Sequence, residues 1–383
     1  MPTHASRRDV TRLRLVRQGL VGAKLRGPLD VAERLLALQA QDLPAATWAI
    51  GVRAPGTTQA DVGAAIDSGT IVRSWPMRGT LHLVPAAELK WMLQLTAPRI
   101  LAGLRTRRAQ LDLDQADIER ARAVTENALA GGRELSRAGF LATLDHNGIA
   151  TAGQRGYHLI AHLALSGTLC WGPRLGSQQA LVLFDEWVPS SRRLERDEAL
   201  GEFVVRYFSG HGPATLKDFI GWSQLTVADA RTGLLVARDR LTELVVDGTS
   251  YFLPASADEG EPGLPPQQRS PLLALPGFDE YLIGYRDRSF AIDDGDLLRV
   301  VPGKNGIFLP IMVSSGRIIG TWRRRASMGA LSVEPVPFSG LTARQLAGFA
   351  SAIRGYSRFL GLPATVLPPA ELGPTAGNDS LEA

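Results

Sequence analysis

The sequence predicts an α+β protein in which three tandem helix-then-hairpin modules precede a β-barrel-like C-terminal domain. Three observations predict it. Helical periodicity gives way to a β-hairpin three times before residue 255, at a spacing of roughly 70 to 90 residues. Residues 255–270, rich in Pro, Gly and acidic groups, read as a linker, and beyond them short β-rich runs end in one long helix. The 383 residues exceed what one core organises and suggest about two to four domains.

Composition narrows the class. With 45% hydrophobic and 21% charged residues the chain is an ordinary globular protein, and it has no run of about 20 apolar residues with which to span a membrane. The N-terminus lacks the apolar stretch of a secretory signal, and Cys170 stands alone, so neither an internal disulfide nor a thiolate metal cluster is available. A reducing cytoplasm is the expected setting. The net charge is only +4, but 38 Arg face four Lys. Arginine suits bidentate phosphate contact, although a GC-rich genome enriches it too.

The first module covers 1–110. Residues 8–21 read as a helix, 30–42 as a second capped by Asp30, and 58–69 as a third capped by Thr57 or Thr58 and stopped near Gly69. Ile71-Val-Arg-Ser-Trp75 and Thr80-Leu-His-Leu-Val84 form a hairpin around Pro76-Met-Arg-Gly79, and a long helix over 86–108 follows. Helices followed by a hairpin are the order of a winged helix. The second module (111–190) has helices over 114–130, 136–145 and 151–165 before β-runs at 168–171 and 180–184. The third (191–254) has helices over 195–209, 215–222 and 227–238 and a hairpin over 241–253 turning at Asp247-Gly248. In the barrel-like domain (271–362), 272–283, 297–301, 306–313, 317–322 and 331–336 are β-like runs and 342–359 is the closing helix; the tail from 363 to 383 reads as disordered.

The second helix ends in an odd way. Ala32, Leu35, Leu36 and Leu38 give it an apolar stripe, yet Gln39, Gln41 and Asp42 crowd its end, where Pro44 disfavours helix at Leu43. Other motifs carry less. His158 and His162 have the i, i+4 spacing of zinc ligands but lack the metalloprotease Glu and a third ligand; beside Arg155 and Tyr157 they suit a helix that meets phosphates. Gly210-His-Gly212 lacks the third glycine of a phosphate loop, and no nucleophile elbow occurs. Asp279, Glu280 and Asp287 lie among Tyr281, Tyr285, Arg286 and Arg288, which reads as an ion-pair network more readily than as an acid–base pair. No metal or other cofactor is expected.

Three segments together, Leu38-Gln-Ala-Gln-Asp42, Arg73-Ser-Trp-Pro-Met-Arg-Gly-Thr-Leu-His-Leu83 and Asp279-Glu-Tyr-Leu-Ile-Gly-Tyr-Arg-Asp-Arg288, resemble the winged-helix DNA glycosylase family of AlkZ, to which YcaQ is related. The resemblance runs over about residues 8–360. Gln39-Ala40-Gln41 matches the Gln, apolar residue, Gln motif of the AlkZ-like branch; the YcaQ-like branch ends in Asp. It implies a C-shaped arrangement of three winged helices completed by a β-barrel, with double-stranded DNA in the concave face. It also implies excision of N7-alkylguanine and unhooking of interstrand crosslinks, in repair or in self-resistance to a genotoxic natural product.

A neutral amide is no general base, but an N7-alkylguanine is cationic and leaves as a neutral base without an acid. Placing a water and stabilising an oxocarbenium-like carbon remain, and two amide oxygens can serve both needs. Positions i and i+2 diverge on a helix, so the expectation is Gln39 on the last helical turn and Gln41 on distorted backbone, converging on one pocket. Asp42 either stabilises positive charge or pairs with an arginine. Arg73, Arg78, Thr80, His82, Arg155, Arg286, Arg323 and Arg324 are the candidate DNA contacts, with Trp75 stacking or packing and the hairpin near Ser314–Arg317 reaching a minor groove. The expected form is a monomer that contacts no membrane. A non-catalytic winged-helix regulator and a genotoxin-sequestering protein are the alternatives.

Overall fold

The computed structural model describes residues 3–176, 178–255, 271–304, 306–327 and 329–370, so the expected linker, from 256 on, and the tail from 371 lie outside the described residues. The chain begins with β1 (Thr3–His4), α1 (Arg7–Arg17), α2 (Pro28–Leu35), β2 (Leu38–Gln39), α3 (Leu43–Arg53), α4 (Gln59–Asp67), β3 (Ile71–Met77) and β4 (Thr80–Pro85). Next come α5 (Leu89–Gly103), α6 (Arg105–Gln110), α7 (Gln115–Leu129), α8 (Arg137–His146), α9 (Arg155–Leu165), β5 (Leu169–Leu175), β6 (Gln178–Leu183) and α10 (Phe184–Trp187). The third stretch holds α11 (Arg196–His211), α12 (Leu216–Ser223), α13 (Val227–Val236), β7 (Leu241–Val246) and β8 (Thr249–Pro254). The last holds β9 (Leu273–Leu275), α14 (Glu280–Ile283), α15 (Asp294–Val300), β10 (Ile311–Ser314), β11 (Arg317–Ser327), β12 (Ala330–Pro337), α16 (Ala343–Leu360) and β13 (Ala364–Val366).

Helices followed by a hairpin do recur three times, and Thr58 caps α4 as the sequence expects. Thr58, Asp114, Ser136, Thr215 and Thr342 each accept a backbone N–H at the start of a helix. Asp247 and Gly248 both have positive φ, as a two-residue hairpin turn requires. The first two hairpins do not stay separate: Arg73 pairs with Trp171, giving one sheet in the order β2-β4-β3-β5-β6. The N-terminus also reaches across the fold, with β1 parallel to β7.

The C-terminal sheet, β13-β12-β11-β10-β9, curls as a half-barrel beneath α16. It has five strands, as the sequence suggests, but not the same five. Residues 297–300 fall in α15, with Val301 as its C-cap, and Asp294 and Asp296 in its first turn complement the helix dipole. The fifth strand is β13, parallel to β12, so residues 364–366 are ordered where a disordered tail is expected. The single helix expected over 86–108 is divided between α5 and α6 at Leu104.

The half-barrel is fused to the first module. Val31, Trp48 and Ile50 share a core with Met312, Phe349, Tyr356 and Phe359, and Trp48 Nε1 donates to Ala274 O at 2.9 Å. A separate aromatic core, with Trp91, Phe203, Tyr207, Phe219 and Trp222, holds α5, α11 and α12 together.

Candidate active site

The helix expected over 30–42 stops at Leu35. Gly27 and Pro28 begin it, and Asp30 lies in its first turn rather than at its cap. Leu36 then adopts φ 64°, ψ −43°, with Ala37 N donating to Leu35 O at 2.8 Å. This is a γ-turn at a non-glycine residue, a strained device of about 1–3 kcal/mol that throws the chain from helix into extended backbone. Gln39 pairs with His82 of β4, and Ala40 N continues the ladder to Leu81 O at 2.7 Å. Neither glutamine is therefore helical. Gln39 ends the edge strand β2, and Gln41 follows two residues on, in the bend before α3. Pro44 does not end a helix; it sits in the first turn of α3, whose N-cap is Asp42, accepting from Ala45 N at 3.1 Å.

Both amides are oriented. Gln39 Oε1 accepts from Arg78 Nη2 at 3.2 Å, and Gln41 Oε1 from Leu81 N at 3.3 Å. Rotating either amide by half a turn would set N–H against N–H. Among the described residues their Nε2 groups have no hydrogen-bond partner, and no carboxylate touches either amide.

Behind Gln39 runs a buried polar chain. Arg78 Nη2 lies 2.8 Å from His82 Nε2, and His82 Nδ1 lies 2.8 Å from Thr80 O, so the ring donates through Nδ1 and accepts through Nε2. Burial, then the neighbouring Arg78 charge, lowers His82 to about 3. Glu280 Oε2 accepts from Trp222 Nε1 at 2.8 Å and lies 3.2 Å from His211 Nε2, while Oε1 is 3.9 Å from Arg78 Nη2. Burial alone would raise the Glu280 carboxyl, but the His211 hydrogen bond and the Arg78 charge outweigh it and hold the group at about 2. Next in sequence, Asp279 takes both hydrogen bonds of a fully buried Arg53 fork at 2.8 Å. The 279–288 segment is thus an ion-pair network, with cations supplied by α3 and the β3–β4 turn rather than by its own arginines.

Gln41 and Asp42 open onto a groove of about 1140 Å³ also lined by Arg73, Arg137, Trp171, Arg174 and Arg358. Arg73 spans its floor, donating to Ala40 O at 3.0 Å and Gln179 Oε1 at 3.2 Å. Burial lowers it to about 10, against the opposing charge of Asp42. Asp42 is therefore a helix cap beside an arginine.

The other expected DNA contacts divide by burial. His82 is fully buried and the Arg78 side chain is 14% exposed, both committed inward, and Thr80 Oγ1 is a buried hydroxyl without a partner. Arg155 is spent on the carbonyls of Leu111 and Asp112 and on Asp117. These four therefore do not present donors to a duplex. Arg286 is exposed, and so are Arg323, paired with Glu334 at 2.7 Å, and Arg324, over the Tyr356 ring. Trp75 packs between Tyr157 and Trp171. His158 and His162 are buried on α9, where burial and then Arg107 or Arg108 lower both, a poor setting for phosphate. The Ser314–Arg317 turn is docked on α1, since a Cβ at Gly316 would meet Thr11 Cγ2 at 2.2 Å. Sequence reasoning missed Arg137, Arg174 and Arg358, which no local pattern marks, and Arg53, whose lone charge on an apolar helix was the available sign.

Of the two oriented amides, Gln41 lines the arginine-rich groove, whereas Gln39 is not among the residues lining it and faces Arg78, so the expected convergence on one pocket is not what the groove shows. The chain belongs to the family of AlkZ-like DNA glycosylases, whose family model matches residues 32–359. It is 27% identical over 349 residues to the interstrand DNA cross-link repair glycosylase of Streptomyces sahachiroi, covering 83% of this chain and 88% of that protein. Its fold is shared with the S. sahachiroi DNA glycosylase AlkZ at a TM-score of 0.79 and 24% identity, over 95% of this chain and all of that one.

Proposed function

We propose that this DNA glycosylase excises N7-alkylguanine, including bulky adducts and interstrand crosslinks, by water attack on the deoxyribose C1′. It acts as a monomer and protects against a genotoxic natural product or repairs its damage. The observation that carries this reading is the pair of oriented amides. Each Oε1 keeps a second lone pair after its protein contact, enough to hold a water on the far face of the sugar and to place negative dipole near the forming oxocarbenium. No acid is needed, because a cationic purine departs as a neutral one, and no strong base, because the oxocarbenium-like carbon accepts a neutral water whose surplus proton passes to solvent. The helix-helix-helix-hairpin units act as winged helices arranged in a C around the duplex. Arg73 and its groove neighbours, with exposed Arg286, Arg323 and Arg324, contact the phosphates. The open groove also suits lesions too large for a tight base-flipping pocket, and the cross-link repair glycosylase among its relatives supports the crosslink substrate.

The test is a duplex carrying one N7-methylguanine, or one crosslink, incubated with wild type and with Gln39→Ala and Gln41→Ala, followed by assay of abasic sites. Wild type is expected to release base, and each substitution to slow release about 10²-fold or more. Tight binding without base release would instead mark a regulator, and capture of an alkylating agent without DNA a sequestering protein.

A further inference from the structure

We propose that Arg78 is the positioning residue that fixes the Gln39 amide for water attack, with Glu280 as its charge partner. This rests on the reading of Gln39 as part of the hydrolytic site. Nη2 carries two hydrogens, and two acceptors meet it: Gln39 Oε1 at 3.2 Å and His82 Nε2 at 2.8 Å. His82 can accept because its Nδ1–H is spent on Thr80 O. A guanidinium has no acceptor, so Gln39 can face it only through Oε1. The rotamer and the flip of the amide are thereby both set, on a strand edge where no neighbouring strand would hold them.

Two further observations argue against a packing role alone. Arg78 and Gly79 have φ 56° and 67° at the β3–β4 turn, a geometry that favours Asn-Gly or Asp-Gly; an arginine there is held against local preference. Glu280 Oε1 is a buried carboxylate oxygen with no hydrogen-bond partner, at 3.9 Å from Arg78 Nη2, while Oε2 is filled by His211 and Trp222. A buried oxygen left without a bond is costly, and here it supplies charge rather than structure. That charge is what the site needs. A bare guanidinium beside Gln39 would repel a cationic purine and an oxocarbenium, and the Arg78–Glu280 pair carries no net charge.

The experiment is a double-substitution cycle on the full chain, read as single-turnover base release from N7-methylguanine duplex and, separately, as duplex Kd. Arg78→Met is expected to slow release about 10²-fold with Kd unchanged, Arg78→Lys to recover part of the rate through its remaining donor, and Arg78→Met to add nothing in a Gln39→Ala background. Thermal melts report folding, and where Arg78→Met does not fold, the same cycle with Arg78→Lys decides. A full rate in the Arg78 variants, losses that add to that of Gln39→Ala, or a weakened Kd of the kind a phosphate contact gives would each overturn the inference. Failure of wild type itself to release base would instead sink the reading of function beneath it.

Discussion

Arg53 and Asp279 are both fully buried and joined by two hydrogen bonds, so either charge alone would be stranded in the core. Asp279→Asn or Arg53→Met should cost about 3–5 kcal/mol in a denaturant titration, because one partner is left uncompensated. Asp42 makes a different prediction. As the cap of α3, its replacement by Ala should cost about 1 kcal/mol of stability, whereas Asp42→Asn keeps the cap and the rate of base release. An Asn variant that is stable but loses base release in step with Gln41→Ala would return Asp42 to the chemistry. At this scale the Gln39-Ala40-Gln41 motif is legible because it is local. The partners of its glutamines are not: Arg78 looks like a surface cation on a wing, and nothing near it in sequence announces Glu280 or the inward turn of its side chain.

The element that matters most is the break after α2. Sequence pattern extends that helix to residue 42 because Leu36 and Leu38 continue its apolar stripe; the γ-turn at Leu36 overrides the period, and both leucines are buried from extended backbone instead. Periodicity cannot report a single strained residue. Pro44 is ambiguous in sequence for a related reason, since a proline marks a helix start, as it does in α3, as well as a helix end. Strand β13 escaped notice because it is short and borrows its partner from β12. The position of α2 is set from behind by α11, where a Cβ on Gly210 would lie 2.3 Å from Arg34 O, a backbone atom. Gly210→Ala should therefore push α2 and the attached β2, costing about 1–3 kcal/mol and slowing base release together. Unchanged melting and activity would show that α2 yields freely.

Across the whole molecule, the buried imidazoles give a pH dependence whose sign is fixed. His82 stays neutral to about pH 3 and His162 to about pH 4, whereas an ordinary imidazole protonates near 6.5. Between those values the unfolded chain binds more protons than the folded one, so stability is fully present above pH 6.5 and declines as the pH falls toward 4. Urea titrations at pH 7.5 and pH 5 should show the loss. His162→Gln, away from the amides, should flatten part of it; an unaltered slope would contradict the burial argument. The repeating order of helices and hairpins was legible across the chain, yet the joining of two hairpins in one sheet and the fusion of the half-barrel to α3 were not, because such contacts have no local signature. Those long-range joins have a consequence for synthesis. Arg53 and Arg78 leave the ribosome long before Asp279 and Glu280, so a nascent or truncated chain carries both glutamines without the carboxylates that complete their surroundings. A chain that stops short of Asp279 is therefore expected to release no base from an N7-methylguanine duplex, and release by such a chain would show that the carboxylates are dispensable.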